Sequence, residues 1–287
     1  DANVNDASAT YVAWNWKAGG APTATNSGGI NPTSGSRMKG GAAITTAYAS
    51  ANIYPVKMST AAHGGFSIFT YTGTGTAGHT VPHGLDSTPL CVLIKDITDS
   101  NSDSWQVGHV GMTSYDYALT LNADNAQDNS ANWWNDTAPS STLITLGDVA
   151  RSNDDGETHV CYAFAKTPGL IGIGSYTGNG LVNGPRIPVD DGGSGFKPAW
   201  LMIKNITTAS RLWVIYNNKT TNVYNPAYRN LLAHTNDTEA TIGTYYCDFT
   251  ASGFKIRDTA LNINQSGNTF IYLAFAEMPL GLNNRAK

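Results

Sequence analysis

The sequence predicts an all-β protein made of two tandem β-sandwich units of the jelly-roll or lectin-like kind. Three observations carry that reading. The apolar runs are short, rich in Val, Ile, Tyr, Phe and Thr, and bounded by Gly, Asn, Asp and Pro, which marks strands. Helical periodicity is nearly absent. A set of landmarks occurs twice, in one order and at nearly constant spacing, as expected of a repeated supersecondary unit.

The chain opens on Asn3-Val4-Asn5-Asp6-Ala7-Ser8-Ala9-Thr10-Tyr11-Val12-Ala13-Trp14, a polar turn leading into an apolar, aromatic run. The same design recurs at Gly156-Glu157-Thr158-His159-Val160-Cys161-Tyr162-Ala163-Phe164-Ala165 and at Asn268-Thr269-Phe270-Ile271-Tyr272-Leu273-Ala274-Phe275-Ala276. Residues 1–17 therefore read as the C-terminal strand of a preceding repeat, and predict a longer parent protein. Residues 18–64 read as a partly ordered connector rich in Gly, Ala, Ser and Thr. Within it, Ala43–Tyr48 and Ile53–Met58 are candidate edge strands.

Unit one is assigned to residues 65–168, unit two to residues 169–279, and a tail to residues 280–287. Phe69-Thr70-Tyr71-Thr72-Gly73-Thr74-Gly75 pairs with Gly174-Ser175-Tyr176-Thr177-Gly178-Asn179-Gly180. Pro89-Leu90-Cys91-Val92-Leu93-Ile94-Lys95 pairs with Pro198-Ala199-Trp200-Leu201-Met202-Ile203-Lys204, and Trp105 with Trp213. Leu201–Lys204 and Leu212–Tyr216 read as strands with both faces buried. Lys95 and Lys204 end equivalent buried strands, so each is expected to snorkel to the surface.

Composition excludes several classes. Charged residues are 13% of the chain, against roughly 25% in ordinary soluble domains, so a coiled coil and a charge-driven disordered tail are excluded. A net charge of −4 gives no footprint for nucleic acid. No apolar run approaches the roughly 18 residues of a spanning helix, so membrane insertion is not expected. The 3 cysteines lack CxxC spacing, so neither a disulfide framework nor a zinc site is expected.

Few residue patterns suggest chemistry. His79 and His83 stand four apart and face one way in a strand, but Pro82 interrupts it and two ligands fall short of a metal set; no metal residue is assigned. Asp99-Ser100-Asn101-Ser102-Asp103, Asn153-Asp154-Asp155-Gly156-Glu157 and Asp190-Asp191-Gly192-Gly193 read as turns, with a structural calcium ion in one of them as the alternative. No nucleophile elbow, P-loop or catalytic constellation occurs, so no catalytic residue and no cofactor are assigned. The loop Asp128-Asn129-Ser130-Ala131-Asn132-Trp133-Trp134-Asn135-Asp136 combines aromatic rings with amides. Rings stack on sugar C–H groups and amides bind hydroxyls, so Trp133, Trp134, Asn132 and Asn135 are the candidate ligand contacts, with Tyr228 a further one. The competing reading is that one tryptophan anchors the loop in the core.

Three motifs resemble a known family. They are Phe66-Ser67-Ile68-Phe69-Thr70-Tyr71-Thr72-Gly73-Thr74-Gly75, then His83-Gly84-Leu85 with Pro89 and Ile94-Lys95, and Tyr11-Val12-Ala13-Trp14-Asn15-Trp16-Lys17-Ala18-Gly19-Gly20. Together they resemble a tandem repeat of structural proteins in tailed bacteriophages, especially marine ones. Unit two departs by lacking the His-Gly-Leu segment. The resemblance implies a non-enzymatic virion protein on the particle surface, a tail fibre or other appendage part that attaches to host-surface glycan. It implies other virion proteins as partners and a homo-oligomer, often a trimer. The alternatives are a capsid decoration protein, a polysaccharide depolymerase and a secreted bacterial carbohydrate-binding module.

Overall fold

A computed structural model of the chain describes residue 7 and residues 10–98, 104–218, 224–235, 237–239 and 245–277. It is all-β, with only two single helical turns among these residues. The strands run β1 (Arg37–Lys39), β2 (Ala42–Ala43), β3 (Lys57–Thr60), β4 (Phe66–Thr72), β5 (Thr80–Pro82), β6 (Cys91–Asp96), β7 (Gln106–His109), β8 (Tyr117–Thr120), β9 (Asp128–Asn129), β10 (Leu143–Thr145) and β11 (Thr158–Phe164). They continue with β12 (Ile171–Thr177), β13 (Arg186–Pro188), β14 (Pro198–Asn205), β15 (Trp213–Asn217), β16 (Leu231–Leu232), β17 (Cys247–Thr250), β18 (Gly253–Ile256) and β19 (Thr269–Ala276). The helical turns are α1 (Ala150–Asn153) and α2 (Leu261–Asn264).

The repeat is visible in the topology. The first large sheet has the order β2-β1-β3-β4-β11-β6-β7-β8-β9, and the second the order β12-β19-β14-β15-β16. In each, the last strand of the unit enters between the first and the strand that carries the Lys landmark. Each large sheet has a small companion, β10-β5 in the first half and β13-β18-β17 in the second. The connector contributes strands of its own: β3 pairs with β4, and β1 runs parallel to β3, while the candidate edge strands at 43–48 and 53–58 meet these strands only at Ala43 of β2 and at Lys57 and Met58 of β3. Its Tyr48 and Ile53 are buried in the first core.

Side-chain alternation sorts these strands into layers, because successive residues point to opposite faces. In β19, Phe270, Tyr272 and Ala274 join a core with Ile187, Phe254 and Ile256 of the small sheet. Ile271, Leu273 and Phe275 point the other way. There they meet the outward face of the first large sheet, namely Phe66, Cys91, Val107, Leu119 and Phe164. The two large sheets thus pack against each other, and each covers its other face with its own small sheet. That is why Leu201–Lys204 and Trp213–Tyr216 are buried on both faces. Burying a large apolar side chain is worth roughly 1.5–3 kcal/mol, against about 1 kcal/mol net for a hydrogen bond. Apolar contact therefore dominates this interface.

Polar groups set its register. The Trp213 indole N–H donates to the Thr120 carbonyl at 2.9 Å. His109 Nε2 lies 3.1 Å from the Tyr272 carbonyl. Lys204 does not snorkel: it is fully buried, and its ammonium donates to the backbone carbonyls of Asp124, at 3.0 Å, and Arg211. Burial lowers its pKa to about 8.

The repeated Tyr-Thr-Gly-x-Gly landmark is a lock. Tyr71 and Tyr176 donate their hydroxyls to the carbonyls of Ser152 and Ile263, in α1 and α2. Buried Asn153 accepts from Thr74 N–H at 2.9 Å and donates to the Gly147 and Thr76 carbonyls. Asn264 does the same with Asn179 N–H at 2.9 Å and the Asp258 and Leu181 carbonyls. The middle glycine lets the backbones meet, since a Cβ on Gly73 or Gly178 would lie 2.1 Å from Asp154 O or 2.3 Å from Gln265 O.

Replacing Asn153 or Asn264 by Ala strands buried backbone groups, at roughly 1–3 kcal/mol for each group. Each variant is expected to lose about 3 kcal/mol in urea unfolding, and by a similar amount in both repeats; losses below about 0.5 kcal/mol would refute the lock. A second expectation concerns acid. Burial pushes both His83 and His109 down to about 4, with backbone hydrogen bonding opposing it. An unfolded histidine titrates near 6.5, so the unfolded chain binds more protons in between. The stability contributed by neutral His83 and His109 is complete above about pH 6.5 and falls as pH drops toward about 4, by up to about 3 kcal/mol each. Unfolding midpoints measured from pH 7 to 4.5 should fall, and His109→Gln should flatten the slope.

Candidate functional site

The strand expected within residues 1–17 is not seen in the part of that span that the structure describes, residue 7 and residues 10–17. None of residues 10–17 joins a sheet. They form a strap that crosses the edge of the interface between the two large sheets. Trp14 lies 6.0 Å from the Trp200 ring, and Trp16 lies 5.9 Å from Trp200, 5.4 Å from Phe275 and 6.2 Å from Phe164. The alternating aromatics that imitate a strand are spent on side-chain packing, without a ladder partner.

Two glycines moor the strap. Gly19 N–H donates to the Ser59 hydroxyl at 2.9 Å, and that hydroxyl donates to the Gly20 carbonyl at 2.7 Å. Gly41 N–H donates to the Gly19 carbonyl at 2.7 Å. A Cβ on Gly19 would meet the Thr60 carbonyl oxygen at 2.2 Å, so no other residue fits without displacing the strap. Gly20 has φ 102°, which glycine adopts readily.

Under the strap lies a surface cleft of about 670 Å³, within the roughly 300–1,000 Å³ of small-molecule sites. Its walls come from three sources: Trp14 and Trp16 of the strap, Phe66 of the first large sheet, and Trp200 and Phe275 of the second. The turns around Gly40-Gly41 and Ala61-Ala62-His63 complete it. Trp16 keeps 36% of its surface exposed despite three ring neighbours. Among the described residues, the ionisable side chains of the lining are Lys17 and His63, and no carboxylate contributes. Burial lowers the His63 pKa, opposed by the Asp86 charge and reinforced by Lys39. The neutral ring accepts Gly65 N–H on Nδ1 at 3.0 Å, which leaves its own N–H on Nε2. The cleft offers aromatic faces, the Lys17 ammonium, a neutral His63 donor and glycine backbone, with no acid–base pair among the described residues.

The residues singled out from sequence lie elsewhere. Trp134 has no exposed surface and packs in the first core, 5.9 Å from the Tyr115 ring. It anchors its loop and offers no face to a ligand. Trp133 is half-buried against that core, with the Arg151 guanidinium 5.0 Å above its ring. Asn132 and Asn135 are exposed, Asn135 at φ 49°. The Asn132 carbonyl sits where a Cβ on Gly147 would come within 1.7 Å. Tyr228, half-buried, lies 6.0 Å from the Tyr246 ring. None of the five lines the cleft.

The other candidates are framework. His79 Nδ1 lies 2.8 Å from the Thr74 hydroxyl, while His83 is buried and accepts Leu85 N–H on Nδ1 at 3.2 Å. Asp191 is buried and accepts N–H groups of Gly169, Gly193 and Gly195. Asp99–Asp103 lies outside the described residues. Among the described residues no group of three His, Cys, Asp or Glu side chains is placed to hold a metal ion.

The sheets and the cleft define an all-β protein of doubled architecture with an aromatic surface site. Residues 38–279 match a family described as a domain of unknown function, DUF7483, and the chain belongs to that family. No curated protein and no solved structure matches it. Phe66, Trp200 and Phe275 lie within the matched span, and the strap precedes it.

Trp134→Ala is expected to cost about 3–5 kcal/mol of stability, as for other buried aromatic truncations. Trp133→Ala should cost less than half as much. Equal effects in chemical unfolding would contradict the anchoring role.

Proposed function

We propose that this chain is a non-enzymatic structural part of a bacteriophage virion, in an appendage that presents β-modules to the host surface. The observation that carries the attachment role is the surface cleft walled by Trp14, Trp16, Trp200 and Phe275. Large aromatic side chains gathered at a concave surface are recognition chemistry. The absence of a described carboxylate from its lining favours binding over hydrolysis, because glycoside cleavage generally uses a pair of acidic groups. The virion role is supported by the family resemblance of the motifs around Tyr71, Pro89 and Trp14. Its partners are other virion proteins, further copies of itself and a host-surface glycan. Repeated copies in an oligomer raise weak contacts to useful avidity.

Gold-labelled antibody against the chain, applied to purified particles, tests this reading. Label at the tail appendages, at low copy number per particle, is the expected outcome. Label over the whole capsid would replace attachment with a decoration role, and particles without the chain would end the virion reading.

A further inference from the structure

We infer that the cleft beneath the strap is a saccharide site that seats a pyranose ring against Trp16, and this deepens the attachment reading on which it rests. Three observations lead there. First, Trp16 stays 36% exposed at the mouth of the cleft while Trp200 and Phe275 hold it in place. An indole held with exposed surface gives a flat, electron-rich platform, and the negative face of an aromatic ring attracts the polarised C–H groups on one side of a pyranose.

Second, the polar groups suit hydroxyls. Asn15 is exposed beside Trp16, and its amide can both donate and accept. His63 presents a neutral Nε2–H. The N–H groups of Gly40 and Gly41 are taken by the Thr60 and Gly19 carbonyls, and what these glycines give the lining is room, since a Cβ on Gly41 would meet nothing within 4 Å. Third, the charge inventory selects against other ligands. No described carboxylate is present for a cation, and Lys17 alone is a poor phosphate site, which usually gathers several donors. A lipid chain or aliphatic peptide would prefer walls of Leu, Ile and Val. Here Leu170 and Ile171 are the large aliphatic members, set among five aromatic side chains and glycine backbone.

The experiment titrates the full chain with neutral disaccharides (maltose, lactose and mannobiose) and with a uronate disaccharide, read by tryptophan fluorescence and by calorimetry. Saturable binding of at least one is expected, and Trp16→Ala should weaken it roughly tenfold or more. His63→Gln, which keeps a donor, should bind more tightly than His63→Ala. Trp133→Ala, outside the cleft, should bind as the parent does. Since Trp16 is at the surface, folding of its variant is checked by the unfolding midpoint. The inference is overturned if no saccharide binds at millimolar concentration, or if the folded Trp16→Ala protein binds undiminished. Particle labelling is independent of this titration. A chain that sits on the tail but binds no sugar overturns this inference alone, whereas a chain that binds sugar but is absent from particles overturns the virion reading alone.

Discussion

The apolar contact between the two large sheets is the constraint on which the rest of the structure depends. Each large sheet is asked to be hydrophobic on both faces, with a small sheet on one side and the other large sheet on the opposite side. Removing the second half would leave Phe66, Val107 and Phe164 facing water, and removing the first would bare Trp200, Trp213 and Leu273. Three polar groups are committed across this seam. Lys204, His109 and the Trp213 indole each meet a backbone carbonyl of the other half. Their desolvation is offset by those partners, and they fix how one sheet lies on the other.

Within each half a second constraint operates. The strand after the small-sheet strands must return to the middle of the large sheet. Before it does, α1 or α2 turns the chain, and Asn153 or Asn264 ties that turn to the Tyr-Thr-Gly-x-Gly loop at the far end of the first strand. Tyr71 stacks on His159 at 5.2 Å, and Tyr176 stacks on Phe270 at 5.0 Å in the same place. One geometry is thus served by different side chains, which explains how loops and partners drift while the landmarks recur. The cleft is a by-product of the same seam. The strap covers the edge where the two sheets meet, and its rings continue the aromatic row of Phe66, Phe164 and Phe275.

The strands were legible because period-two alternation and β-branched content act locally, and the repeat was legible because its landmarks are buried or conformationally demanding. Gly73 and Gly178 admit no side chain, and Tyr71 and Tyr176 each satisfy a turn. Three features were read differently. The strap has the alternation of a strand, but a strand exists only with a ladder partner, and residues 10–17 have none. Trp134 stands among Asn, Asp and Ser, so its window reads as exposed, yet a loop of that length is held by sinking one large ring. Lys204 has the chain length to reach solvent, but the other half of the protein closes over it. The Trp14-x-Trp16 pair followed by Gly19-Gly20 was the one local sign of the cleft, and its meaning depended on Trp200 far along the chain.

The sequence by itself determined the all-β class, the doubled order of strands, the turn positions and the lack of a concentrated catalytic motif. These follow from backbone sterics, side-chain periodicity and residue chemistry, which act over a few neighbours. Only the tertiary structure decided that the two halves pack sheet to sheet, where in the connector the strands that join the first sheet fall, that Trp133 and Trp134 support a loop, and that Trp14 and Trp16 wall a cleft. Those outcomes depend on which apolar faces find each other across more than a hundred residues. A local pattern states that a face must be covered, and the fold alone states by what.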